Sequence, residues 1–254
     1  QSRIIVQEYV AKIGCYNIRT RKLLYTLTTE ITAPSYWHCN QSQFGNLRYA
    51  DDDMFPLLYV AMQDDDNNRG SWVAFRIIPV ITDGEISSFT VAQVQTIHLP
   101  VMTDENCMGH PNIAFDALNN CFWAYHRNNN SAAANYRKAH FSKFAIPAIW
   151  NGSVLVSDVD LTDADILDSF EDDWSMLYAQ GGFILDGKLY IAQGMPSANY
   201  IYMRVVDLYV KRKMVTIVDL LRAGISIEPE GLFYYDGNIF ITTGSARILR
   251  LQFE

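Results

Sequence analysis

The chain has 254 residues, 49% of them hydrophobic and 13% aromatic, enough to bury a sizeable core. Charged residues make up only 19% and the net charge is −8, which excludes an extended nucleic-acid surface, because phosphate recognition needs dense Lys and Arg. No run of eighteen apolar residues occurs, so no membrane-spanning helix is expected.

The chain opens in strand-like sequence, QSRIIVQEYV, which suggests that a strand or a leader precedes Gln1. A strand pair follows, GCYNIRT then KLLYTLTTE. The polar-edged segment YWHCNQSQF comes next, and then the apolar run Leu57 to Ala61. Further along, two stretches say the same thing fifty residues apart: QGGFILDGKLYIAQG (Gln180 to Gly194) and EGLFYYDGNIFITTG (Glu230 to Gly244). Each is an apolar strand, an Asp-Gly turn, a second apolar strand and a Gly. Laid along the chain, the repeat gives about five copies, with strong strands at Ile4 to Gln7, Leu57 to Ala61, Phe122 to Tyr125, Leu189 to Ala192 and Ile239 to Thr242. Pairs such as YIYMRVVDL and MVTIVDL complete units of four strands, the pattern of a propeller blade. The expectation is an all-β chain: a single five-bladed β-propeller over residues 1–254, six-bladed if an N-terminal blade is missing.

Two segments break the regularity. Thr162 to Tyr178 (TDADILDSFEDDWSMLY) begins with a capping pattern, Thr162 before Asp165, and continues with Ile166, Leu167 and Phe170 at helical spacing. It predicts a short helical insertion. Asn128 to Asn135 is a polar loop, and the flanking His126 and His140 are expected to face solvent. Cys15 and Cys121 read as buried thiols, whereas Cys39 and Cys107 lie near loops; no C-x-x-C or metal spacing occurs, and the disulfide state stays open.

Nucleophile-elbow, zinc-protease, P-loop and dinucleotide motifs are absent. The acidic run from Asp64 fails the calcium-loop pattern, with Arg69 where Gly belongs and Phe75 where Glu belongs. The run from Asp158 fails similarly. A more informative set lies at the starts of the inner strands: Trp37, His38 and Asn40; His110 and Asn112; Tyr178 and Gln180; Glu228 and Glu230. Aligning the two Asp-Gly turns puts Gln180 opposite Glu230 and Tyr178 opposite Glu228. The His-x-Asn pattern at 38/40 and 110/112 puts each pair on one strand face. These nine residues are the expected ligand-binding set. Glu228 and Glu230, two residues apart on a strand, are candidates for acid–base catalysis, and Glu230 with Asn112 for a divalent cation. Trp37, Trp150 and Trp174 sit in loop-like sequence and suit stacking on a ligand.

The segment Trp37 to Gln63, with PEGLFYYDGNIFIT near the C-terminus, resembles a group of exported bacterial propeller-like proteins. That resemblance implies an extracytoplasmic (periplasmic or cell-surface) location. Pro229-Glu230-Gly231 is similar to the Glu-Gly element of calcium-dependent lactonase-like propellers. This likeness implies calcium on Glu230 with Asn side chains from other blades. The leading functional expectation is binding of a carbohydrate or other small polar molecule. The alternatives are a hydrolase for an ester, lactone or glycoside, and a protein-interaction scaffold.

Overall fold

The structure is a computed structural model. It describes residues 2–7, 12–17, 20, 22–28, 41–64, 69–100, 112–127, 134, 136–244 and 247–252. Trp37, His38, Asn40 and His110 lie outside these residues, as do Cys39 and Cys107.

The fold is all-β and of the propeller type. The described residues form two compact units, residues 1–99 with 147–161 and residues 100–146 with 162–254. In the first unit, β1 (Ser2–Gln7), β2 (Lys12–Asn17) and β3 (Leu23–Thr28) make one antiparallel sheet. A second sheet follows β4 (Ser42–Phe44), β5 (Leu58–Asp64), β6 (Arg69–Thr82) and β7 (Glu85–His98) in chain order. In the second unit come β8 (Asn112–Asp116), β9 (Cys121–Arg127) and β10 (Lys138–Ala145). The first unit resumes with the hairpin β11 (Trp150–Asn151) and β12 (Val154–Leu155), and with β13 (Asp158–Asp160), which pairs parallel to β7. The second unit then supplies β14 (Asp168–Ser175), which closes the sheet β14-β10-β9-β8. Its other sheets are β15 (Ala179–Leu185), β16 (Lys188–Met195), β17 (Tyr200–Asp207) and β18 (Lys213–Asp219), then β19 (Pro229–Tyr235), β20 (Asn238–Thr243) and β21 (Arg247–Leu251).

The Asp-Gly signals fold as the sequence implies. Asp186-Gly187 and Asp236-Gly237 both have positive φ at the two central positions, as type I′ hairpins require. The flanking residues Leu185 and Lys188, and Tyr235 and Asn238, face one another. The blade count is four, against the five expected from strand spacing. The first and last sheets hold three strands each among the described residues.

The helical insertion is corrected. The Thr162–Asp165 cap does form, with the Thr162 hydroxyl and backbone N–H both donating to Asp165 Oδ2 at 2.8 and 2.7 Å, but the helix lasts one 3-10 turn, Asp163–Asp165. From Asp168 the chain is strand β14, in which Phe170, Asp172 and Trp174 are part-buried and Ser169, Glu171, Asp173 and Ser175 exposed. A two-residue period prevails over the three apolar residues at helical spacing because one face of this strand packs on the core. Phe170 and Trp174 cover a cluster built from Trp123, Tyr125, Phe141, Met176, Leu189, Ile191, Val206 and Leu208.

Sheet β15–β18 is apolar on both faces. Leu189, Ile191 and Val206 join the cluster just named, whereas Phe183, Ala192, Ile201, Met203 and Val205 join a second with Leu232 and Ile241. Its strands therefore alternate between two cores, which is why they read as near-continuous apolar runs. Cys121 is buried with a free thiol, and burial pushes that thiol's pKa up.

A polar network ties this unit together at the opposite ends of its inner strands. Tyr209 Oη donates to Asp116 Oδ2 at 2.7 Å and accepts from Trp123 Nε1 at 3.2 Å; Asn119 caps the same carboxylate. Asp116 is 2% exposed. Tyr209→Phe would leave a buried carboxylate and a buried indole each short of one partner, costing about 1–2 kcal/mol. Urea denaturation should show that loss as a lower midpoint with unchanged slope; an unchanged midpoint would show that the network contributes nothing.

Candidate ligand-binding site

Three inner strands, β8, β15 and β19, lie side by side within the second unit, with β15 in the middle. Hydrogen bonds join their starts. Asn112 Nδ2 donates to Ala179 O at 3.0 Å, and Tyr125 Oη donates to Gln180 O at 3.0 Å. Gln180 Nε2 donates to Glu228 Oε1 at 3.2 Å. Segments far apart in the chain, 112, 179–180 and 228, are thereby held in one place.

The register explains the equivalence that the sequence suggests. Gly194 N–H donates to Tyr178 O at 2.9 Å and Gly244 N–H to Glu228 O at 3.0 Å, the same bond fifty residues on. β15 and β19 then each carry a bulge, between Ala179 and Gly182 in one and between Pro229 and Gly231 in the other. Gln180 and Glu230 sit in these bulges, where the extra residue turns a side chain away from strict alternation. Two-residue spacing is therefore the wrong ruler for Glu228 and Glu230. The Glu230 carboxylate reaches over Gly244, where even a methyl group would come within 2.8 Å of its Oε1.

Asn112 is 4% exposed, and its Oδ1 has no hydrogen-bond partner among the described residues. Such a buried amide oxygen is an acceptor available to a ligand hydroxyl. Tyr178, at the left-handed φ of 53°, is 43% exposed at the head of β15. Among the described residues no three His, Cys, Asp or Glu side chains gather at metal-binding distances.

Two groups that the sequence reading set aside belong near this end of the unit. His126 and His140, expected in solvent, are 3% and 6% exposed and face each other across β9 and β10, ring centroids 5.1 Å apart. They flank a polar loop in sequence, but both side chains are buried. Burial holds both imidazoles below their ordinary pKa, His126 well below; a weaker interaction with Glu171 opposes this at His140. The second group is Arg204 with its neighbours. Its guanidinium lies 4.4 Å from the centre of the Trp174 ring and 5.3 Å from that of Tyr202, and it donates to Gln193 Oε1 and Met214 Sδ. Trp174, expected to stack on a ligand from a loop, instead stacks on this arginine from a strand.

Small antiparallel meanders with adjoining inner strands, polar at their starts, define a propeller-type fold. No protein-family model matches the chain, and no curated relative does. Among solved structures, it is similar to a luciferin-regenerating enzyme at 10% identity and TM-score 0.43, over 99% of this chain and 68% of that one. It is also similar to the Dos1 propeller at 9% identity and TM-score 0.36, over 95% of this chain; the chain spans 64% of that protein's length. Both scores are low, and the fold assignment rests on the sheets themselves.

Proposed function

We propose that this chain is a single ligand-binding propeller domain, and that it recognises a carbohydrate or other small polar molecule at the starts of β8, β15 and β19. The observation that carries the reading is the set of polar groups at these starts: Asn112 Nδ2 donates to Ala179 O, Gln180 Nε2 donates to Glu228 Oε1, and Glu230 is set on a bulge beside them. Amide and carboxylate groups side by side offer donors and acceptors at sugar-hydroxyl spacing. The exposed Tyr178 ring adds an apolar face. The likeness of Trp37 to Gln63 to exported bacterial proteins supports an extracytoplasmic setting. Calcium on Glu230 and Asn112 is the alternative that would turn the same residues toward hydrolysis, with carboxylates and an amide oxygen as its donors.

The test is a thermal-shift screen of neutral mono- and disaccharides, with and without calcium. A ligand at a hundred times its Kd stabilises by about 2.7 kcal/mol, about 5 °C or more for a protein of this size. Glu230→Gln is expected to abolish the shift. A shift that survives both Glu230→Gln and Gln180→Ala would place binding elsewhere. A shift seen only with calcium would favour the hydrolase.

A further inference from the structure

We propose that Ser71, His98 and Asp158 form a second site, an acyl-transfer centre in which Ser71 is the nucleophile, His98 the base and Asp158 the group that positions His98. It would take a small acyl ester. The inference goes beyond the ligand-binding reading, because all three residues lie in the first unit, whereas β8, β15 and β19 belong to the second.

Three strands place the three side chains. Ser71 on β6 and His98 on β7 are directly opposed in the antiparallel ladder, so their side chains leave the sheet on one face. β13 pairs parallel with β7, setting Asp158 against Thr96 and Asp160 against His98. Thr96 is two residues from His98 and shares its face, and Asp158 shares that face in turn. The Ser71 hydroxyl lies 2.8 Å from His98 Nδ1, and His98 Nε2 lies 3.1 Å from Asp158 Oδ1. The backbone beside the ring is pinned on both sides. His98 O accepts from Leu161 N–H at 2.9 Å, and Leu99 N–H donates to Gly70 O at 2.9 Å. Strands rather than loops therefore fix the geometry.

The partners also set the proton positions. A carboxylate only accepts, so the neutral ring carries its proton on Nε2, facing Asp158. That leaves the Nδ1 lone pair to accept from the Ser71 hydroxyl. This is the hydrogen-bond order of a Ser-His-Asp triad, with the two ring nitrogens exchanged.

The reaction balances with an ester and water. Ser71 Oγ bonds to the acyl carbon while its proton passes to His98 Nδ1, and the carbonyl π pair moves onto oxygen. When that pair returns, the bond to the alkoxide leaving group breaks, and the alkoxide takes the proton from Nδ1. Water then repeats the sequence on the acyl–Ser71 ester and releases the acid and the free serine. Asp158 stabilises the imidazolium formed in each half. Exposure falls along the relay: the Asp158 side chain is 63% exposed, that of His98 30%, and Ser71 as a whole 4%. A serine so covered admits a small acyl group rather than a polypeptide. A purely structural tie between β6, β7 and β13 would hold the same distances, and reactivity distinguishes the two.

The experiment treats the whole chain with a small alkyl fluorophosphonate and, separately, with p-nitrophenyl acetate, and maps the adducts by mass spectrometry. A single phosphonyl group is expected on Ser71, and a burst of p-nitrophenol with an acetyl group on the same residue. Ser71→Ala should abolish both. His98→Gln should slow labelling of Ser71 about a hundredfold or more. Asp158→Ala should slow it about tenfold, less than the loss of a buried triad carboxylate, because water replaces part of an exposed one. Asp158→Glu should restore most of the rate. Melting temperatures show which variants remain folded; if His98→Gln does not, the exposed Asp158 variants carry the test. Three results overturn the proposal: no label on Ser71 in the folded parent chain, label spread over several serines, or a labelling rate that the folded His98 and Asp158 variants leave unchanged. Each would leave the three residues as a structural tie.

Discussion

Gly194→Ala is expected to destabilise the protein by about 3 kcal/mol or more, the largest single effect foreseen for a one-methyl change. Two causes act together. The φ of Gly194 is +121°, a conformation that L-residues avoid. A methyl group would also lie 2.2 Å from the carbonyl oxygen of Tyr200 and 2.9 Å from Ile201 Cα, both backbone atoms of the paired strand β17. Backbone cannot swing aside as a side chain can, so β17 must move or the Gly194 N–H bond to Tyr178 O must break. Gly224→Ala is the control. Its φ is +89°, but open space surrounds the added methyl, so only the conformational strain, about 1 kcal/mol, is expected. The measurement is the urea midpoint of both variants. Equal losses would mean that the close approach at Gly194 is absorbed without cost.

The stability of the protein is expected to fall by about 2 kcal/mol between pH 7.5 and pH 5.5, through His126 and His140. The sign follows from burial. Both folded-state pKa values lie below the ordinary 6.5, so below that pH the unfolded chain binds protons that the folded chain refuses. The stability they contribute is fully present above about pH 6.5 and is lost as the pH falls toward their folded values. The groups facing the pair are each other, Glu171 across β10 and the backbone of Arg127. Glu171, at 3.4 Å from His140 Nδ1, opposes the shift at His140, so His126 should supply the larger share. His126→Leu is expected to flatten at least half of the slope in melting temperatures taken across this window, which lies above the ordinary carboxylate range. An equally steep profile in His126→Leu would assign the pH dependence elsewhere.

The fold was legible where local chemistry and period agree. Asp186-Gly187 and Asp236-Gly237 demand a type I′ turn, and the flanking apolar residues demand paired strands, so hairpins could be placed to the residue. The same ruler found the equivalence of Gln180 with Glu230 and of Tyr178 with Glu228, which the hydrogen bonds of Gly194 and Gly244 reproduce. It failed at β14, where a real cap at Thr162 was extended into a helix. Phe170 and Trp174 are spaced for a strand, and only the core they cover decides between the two. It failed also at His126 and His140: the loop between them, Asn128 to Asn135, is polar, but the two histidines pair with each other across the sheet and are buried.

By itself, the sequence determined the all-β class, the Asp-Gly hairpin positions and the equivalent starts of β15 and β19, because turn type and two-residue alternation are local properties of the chain. The tertiary structure alone decided which of those starts meet. The bulges that re-aim Gln180 and Glu230 depend on pairing with β16 and β20. The contact of Phe170 and Trp174 with Leu189, Ile191 and Val206 depends on two sheets lying side by side. Proximity across sheets is set by how two cores close on β15–β18, and no spacing along the chain encodes it.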